Sequence, residues 1–400
     1  MSRVIHFLLS FSIIIILSLL ISSNPKNIRI RFIVQTLMVE IILGYIILHS
    51  PSGLITIQKI CTLFQTLSIF AAEGTNFVFG QTSRVTQQQE TTNFFCTILC
   101  PIIFMSAIIG VLKHTRILEF FIRIIGTILS KINGMGKLES FNAISSLILG
   151  QSENFIIYKD IIQNISAPRM YTMAITAMST VSLSITGVYI TMLNPTYVIA
   201  ALVLNMFSTF IIVSLINPYV IKPDQDLNIL SIFTNDKQNI FEIIGEYILI
   251  GFKIAVTVAA MLIGFIAIIS ACNAIFENLF HISLQKLLGY IFYPLIWVMG
   301  IPKCEILQIS SIIATKLISN EFIAIIYLNK ISNTLSPNTI AAISVFLVSF
   351  ANFSSIGIII GSIKGINTMQ GNLISGYSFK LIYSSTLINI LSAIITQLII

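Results

Sequence analysis

Charge is what this 400-residue sequence has least of. Asp, Glu, Lys and Arg make up 9% of it against 56% hydrophobic residues, whereas a soluble domain carries about 25% charged residues. No water-soluble fold could bury that much apolar surface, so the bilayer is the expected solvent. The five cysteines, Cys61, Cys96, Cys100, Cys272 and Cys304, form neither a CxxC pair nor a metal-type cluster. Most lie in or beside apolar stretches and read as small packing residues. His6, His49, His114 and His281 sit near the ends of apolar runs without metal-ligand spacing, which argues against catalytic zinc. Phosphate loop, nucleophile motif and dinucleotide fingerprint are all missing. The net charge of +7 comes from Lys and Arg scattered through short connections, with no continuous patch for a nucleic acid. No cofactor is implied.

What the sequence does have is long apolar runs. A hydrocarbon core about 30 Å thick takes about 20 residues of helix to cross, and eight runs qualify: Val4 to Ile21, Phe32 to Leu48, Phe94 to Leu112, Tyr171 to Leu193, Tyr197 to Ile216, Leu249 to Ile269, Thr339 to Ile363 and Tyr377 to Ile400. No small-x-small cleavage site precedes Asn24 and Pro25, so the first run is expected to be a retained helix. Two further segments, Leu138 to Asn164 and Lys303 to Leu328, are apolar with a polar cluster near the middle. A single spanning helix should be most apolar there, and the pattern predicts re-entrant hairpins whose tips face a cavity. Thr115 to Ile132 and Asn239 to Tyr247 mix charged and apolar residues at helical spacing and read as interfacial helices.

Basic residues set the orientation. Lys26, Arg29 and Arg31 follow the first run, and Lys113, Arg116, Arg123, Lys131 and Lys137 follow the third, which places both stretches in the cytoplasm. Counting spans then opens the first hairpin to the cytoplasm and the second to the outside. A hairpin followed by a span, repeated in opposite orientation, is the signature of a transporter with its site at mid-membrane. The expected fold is an all-α polytopic membrane protein of about eight transmembrane helices plus two oppositely oriented re-entrant hairpins in an inverted repeat.

The first tip reads Gly150, Gln151, Ser152, Glu153, Asn154, and the second centres on Asn320 and Glu321. A carboxylate at membrane depth costs about 2.5–3.5 kcal/mol even on an insertion scale and is a functional candidate by default. Gln and Glu together can donate to and accept from the edges of a polar heterocycle. A structural alternative pairs Glu321 with Lys316, although a separation of five does not share a helical face. Ser179, Thr180, Ser182, Ser184 and Thr186 interrupt one span, and Asn352, Ser354 and Ser355 another. Either these residues bond neighbouring helices, or they mark unwound segments that hold a small cation. Glu40 and Glu73 lack a second polar cluster and read as structural or cavity-lining.

Gly150 to Glu153, Asn320 to Phe322 and Phe350 to Ser355 stand in the order and register of the Gly-Gln-Thr-Glu, Asn-Glu-Phe and Phe-Ala-Asn-Phe-Ser-Ser motifs of the concentrative nucleoside transporters. Ala72 to Gly80, Leu284 to Tyr290, Trp297 and Gly300 extend the resemblance over nearly the whole chain. The resemblance implies cation-coupled uptake of nucleosides by a homotrimer embedded in membrane lipid, each subunit moving a transport domain past a fixed scaffold in an elevator-type cycle. By it, Gln151, Ser152 and Glu153 face the base and Ile185 packs on it, while Glu321, Asn352 and Ser355 hold the ribose near Phe350. Sodium would map to Ser146, Leu149, Thr180 and Val181. The implied division is 1–112, scaffold helices with an interfacial helix; 113–218, an interfacial helix, hairpin one and two spans of the transport domain; 219–302, an interfacial helix, a scaffold span and a connecting helix; and 303–400, hairpin two and the last two spans. The chain departs from the family pattern at Ser146, Ser152, Asn154 and Ala314.

Sodium is the expected coupling ion, with a proton on Glu153 or Glu321 as the alternative. Two other classes compete. One is an intramembrane enzyme using those carboxylates as acid and base on a lipid-linked substrate, and the other is a passive channel lined by the tips.

Overall fold

The computed structural model describes residues 3–80, 94–151, 153–159, 161–221 and 239–400, which leaves Ser152 outside the described residues. Every regular element among them is helical. The first group comprises α1 (Arg3–Leu20), α2 (Ile30–His49), α3 (Pro51–Phe79) and α4 (Pro101–His114), the last preceded by a π-type turn at Phe95–Leu99. Next come α5 (Ile117–Asn133), α6 (Lys137–Leu149), α7 (Asn154–Ile157), α8 (Ala167–Ser179), α9 (Leu183–Met192) and α10 (Pro195–Ile216). The remainder are α11 (Ile240–Phe280), α12 (Leu284–Val298), α13 (Ile306–Ile318), α14 (Glu321–Ile331), α15 (Pro337–Leu347), α16 (Phe353–Ile366), α17 (Thr368–Gly376) and α18 (Ser378–Ile399). Proline at the first turn of α3, α4, α10 and α15 marks their starts, where its missing N–H is no loss.

Among the described residues, eight helical stretches are long and apolar enough to cross a membrane, but they are not quite the eight read from hydropathy. The run Thr339 to Ile363 is two half-helices, α15 and α16, parted at Val348–Asn352. Tyr171 to Leu193 is likewise α8 and α9, parted at Thr180–Ser182. The additional long helix is α3, whose polar residues dilute its hydropathy. Thr56, Thr62 and Thr66 each donate to the carbonyl four residues back, so much of that polarity is met within the helix.

The expected interfacial helix at Asn239 to Tyr247 is not separate. It forms the first turns of α11, a continuous helix of 41 residues and about 60 Å at 1.5 Å per residue. Nothing between Tyr247 and Leu249 can end a helix, so the polar start runs on into the span. The other segment expected to be an interfacial helix, Thr115 to Ile132, forms α5, an amphipathic helix that buries Leu118, Ile122, Gly126 and Leu129 on one face at spacings of three and four. Hairpin one also differs in its second arm, where α7 is a single turn followed by a 3-10 turn at Ile162–Asn164.

Helices α8, α9, α10 and α18 form the buried centre, while α1, α2, α3 and α11 leave most of their surface exposed. Outward-facing Ile16, Leu20, Leu249 and Ile263 suit contact with lipid rather than water. Three hydrogen bonds fix which ends lie together. Lys380 Nζ, at the start of α18, donates to Ser23 Oγ at 2.6 Å. Gln370 Nε2, on adjacent α17, donates to Ile165 O at the base of hairpin one at 3.0 Å. At the far end of α18, Gln397 Nε2 donates to Asn338 O beside the base of hairpin two at 3.3 Å. The two hairpins therefore open to opposite faces, as the charge pattern predicts.

Candidate functional site

Each tip is placed by a helix end. α6 stops at Leu149 because Gly150 follows at φ +106°, a region that strains any residue with a Cβ. A Cβ on Gly150 would also lie 3.1 Å from Ser182 Cβ, so the tip of hairpin one abuts the break between α8 and α9. Buried side chains clasp the arms together. Asn154 Nδ2 donates to Asn142 Oδ1 at 2.7 Å, Ser145 donates to Asn154 Oδ1 and lies 2.9 Å from the Tyr158 hydroxyl, and Asn142 Nδ2 reaches Met173 O at 3.1 Å. At its base, Arg169 pairs with Glu139 in a buried two-pronged contact of 2.5 and 2.9 Å.

In hairpin two, Asn320 caps α14 by accepting from Ile323 N at 3.1 Å. Asn352 caps α16 in the same way, accepting from Ser355 N at 2.8 Å. The spare amide of Asn352 then donates to Glu321 Oε2 at 2.8 Å, and the Tyr189 hydroxyl donates to Glu321 Oε1 at 2.7 Å. The Glu321 carboxylate is thus clamped from two elements, with Tyr189 held against Phe322 at a centroid distance of 5.2 Å.

Both tips and the second break line one cavity of about 500 Å³. It brings together Gln151, Glu153, Ile185, Glu321, Phe350, Asn352 and Ser355, every described residue read as substrate-binding. Gln151 Oε1 is buried with no protein hydrogen-bond partner, an arrangement that calls for a donor from a ligand or water. A carboxylate accepts at about four lone-pair positions. Tyr189 and Asn352 use two, which leaves acceptor capacity for paired hydroxyls.

Of the four residues read as a cation site, Leu149 also lines the cavity, and Ser146, Thr180 and Val181 are buried around the first break. Ser146 Oγ donates to Asn142 O at 2.7 Å and Thr180 Oγ1 to Thr176 O at 3.0 Å. Each hydroxyl proton is spent on its own helix, and the oxygen lone pairs remain able to accept. Ser179 Oγ, next to the break, is buried without a partner. Such a set of hydroxyl and helix-end carbonyl oxygens fits a small hard cation.

Sequence profiles of known families tile this same chain. Residues 9–82 match one described as Na+ dependent nucleoside transporter N-terminus, 95–196 one described as nucleoside recognition, and 197–397 one described as Na+ dependent nucleoside transporter C-terminus. The purine nucleoside transport protein NupG of Bacillus subtilis is 32% identical over 98% of this chain and 99% of its own. The chain belongs to the concentrative nucleoside transporter family. The nucleoside permease NupC of Helicobacter pylori is 26% identical over 97% of this chain and 96% of its own. Among solved structures, that of CNTnw in an inward-facing substrate-bound state superposes with a TM-score of 0.91 at 25% identity, covering 100% of this chain and 98% of that one. A doubly substituted CNTnw in an outward-facing state gives 0.91 as well. The protein is a multi-pass membrane transporter, and membership of this transporter family sets aside the intramembrane-enzyme reading.

Within this nucleoside transporter family member, sequence reasoning missed Tyr189 and Asn142. Tyr189 lies one turn beyond Ile185 on the same helical face, a signal that could have found it. Asn142 carried no such signal, since its partners lie on α8 and the opposite arm.

Proposed function

We propose that this protein imports nucleosides by cation-coupled secondary active transport. The observation that carries the reading is the single cavity shared by both tips and the second helix break. Gln151, with Ser152 and Glu153 beside it, faces the base, Ile185 packs on the base, and Glu321, Asn352 and Ser355 hold the ribose hydroxyls near Phe350. Sodium is the favoured coupling ion, at Ser146, Leu149, Thr180 and Val181, because the oxygens at that break can accept a cation and need no proton to do so. Proton coupling is the alternative. The relatives' purine and nucleoside specificities support the substrate class, and base preference follows from the Gln151–Glu153 end.

The same reading takes the protein as a homotrimer working by an elevator cycle, with residues 1–112 and 219–302 as scaffold and 113–218 and 303–400 as the moving half. Glu40 on α2, buried at mid-helix, accepts from Ser208 on α10 at 2.6 Å. Movement must therefore break that bond or take α2 along. Purified protein in liposomes, given labelled inosine or uridine under sodium, proton or no gradient, tests the proposal. Sodium-driven accumulation blocked by other nucleosides supports it. Uptake that only equilibrates would favour a channel, and accumulation under a proton gradient alone would replace the ion.

A further inference from the structure

The two repeats can be compared residue by residue. Each begins with a 13-residue arm, α6 or α13, and each later passes through a 3-10 turn and a Ser at the N-cap position before a broken helix. The first residue past each arm bonds the carbonyl four back, Gly150 N to Ser146 O and Ser319 N to Thr315 O, both at 2.9 Å. That anchor sets Ser146 opposite Thr315 and Leu147 opposite Lys316. At the breaks, Thr180 and Val181 stand opposite Val348 and Ser349.

In repeat one the arm meets the break at Gly150 and Ser182, and neither 138–158 nor 170–193 contains a Lys or Arg. In repeat two a cation is already there. Lys316 has no exposed surface. Its Nζ donates to Phe346 O at 2.5 Å and Ser349 Oγ at 2.7 Å, and lies 4.5 Å from the Phe346 ring centroid. Phe346 O belongs to the last turn of α15, where unpaired carbonyls and the helix dipole both favour positive charge. A buried ammonium survives only when such partners surround it, and three donors on a compact charge can take the place of a small coordinated ion.

We propose that the Lys316 ammonium is a tethered cation, filling at the second helix break the position that a mobile cation takes at the first. The break between α15 and α16, which presents Asn352 and Ser355 to the cavity, is thereby held permanently in its cation-bound shape. The inference rests on the coupling reading above only for the identity of the mobile ion. One consequence is stoichiometric: no more than one sodium ion binds per subunit, although the fold contains two equivalent junctions.

The test counts sodium. Purified wild type, Lys316→Ala and Lys316→Met would be titrated with radioactive Na+ alone and then with labelled inosine at graded sodium. Lys316→Ala is expected to bind one sodium more per subunit than wild type, and the slope of log inosine affinity on log sodium should rise by about one. Lys316→Met fills the space without charge, so inosine affinity should fall by about tenfold or more at every sodium concentration. A purely structural lysine would change stability but not the sodium count. Lys316→Ala binding inosine with the wild-type count and slope would overturn the proposal, as would wild-type affinity in Lys316→Met. If neither variant folds, two or more sodium ions per wild-type subunit would also overturn it. Whether wild-type inosine binding needs sodium at all judges the coupling reading separately.

Discussion

Replacing Glu321 by Gln tests the proposed ribose end of the site most directly. The carboxylate accepts from Tyr189 and Asn352 at 2.7 and 2.8 Å, and the residue lines the cavity. A Gln can satisfy both protein partners, turning its carbonyl to the Asn352 amide and its NH2 to the Tyr189 oxygen, so the fold should survive. What it cannot supply is a charged acceptor with room for two hydroxyls. Losing between one and two charge-assisted hydrogen bonds, at about 2 kcal/mol each, gives about 2–4 kcal/mol, or about 30- to 1,000-fold in affinity. Calorimetric titration of inosine and of its 2′,3′-dideoxy analogue into both proteins isolates the contribution. Wild type should strongly prefer the ribonucleoside, because the analogue leaves buried acceptors unpaired. Glu321→Gln should lose most of that preference while binding the analogue almost as before. If the ratio of the two affinities stays within threefold of wild type in an intact Glu321→Gln protein, the assignment of Glu321 to the ribose is wrong.

Tyr189→Phe removes a donor to Glu321 but keeps the ring against Phe322, so inosine affinity should drop by about 1–2 kcal/mol with little change in Tm. Gly150→Ala places a Cβ at a positive φ and 3.1 Å from Ser182. It should slow sodium-driven uptake severalfold, and unchanged uptake would show that the tip is not held against the break. Glu139→Gln leaves Arg169 buried and without its carboxylate, a loss of about 3–5 kcal/mol that should appear as a lowered Tm in detergent. Pairing that change with Arg169→Met should recover part of the loss.

The spans and the polar depths were legible because the bilayer imposes a strict code: apolar for about 20 residues, or polar only where a cavity or partner waits. Gln151, Glu153, Glu321 and Asn352 stood out for that reason, and they do share one cavity. The helix breaks at Thr180 and Val348 were foreshadowed by the same clusters, though spacing alone did not separate unwinding from ordinary interhelical bonding. The continuity of α11 was hidden because charged residues at its start mimic a surface helix while leaving the backbone free to continue. The span-length of α3 was hidden by threonines whose hydroxyls bond their own helix. Tyr189 was hidden by being aromatic in an apolar run, its function resting on a single oxygen.

The glutamines at either end of the α17–α18 unit have a mechanical consequence. Gln370 grips the base of one hairpin and Gln397 the start of α15, just past the base of the other, so one strut is pinned next to both re-entrant loops from opposite ends. A tip that swung alone would have to tear its pin loose or drag the strut, and with it the other tip. In the proposed elevator cycle the cheaper displacement would be of the whole cassette, which gives up the bonds of Lys380 to Ser23 and Tyr383 to Leu17 and carries the cavity along at constant shape. On this view access would change because the walls around the cassette stay behind, and the pocket would meet its cargo with one geometry on both sides.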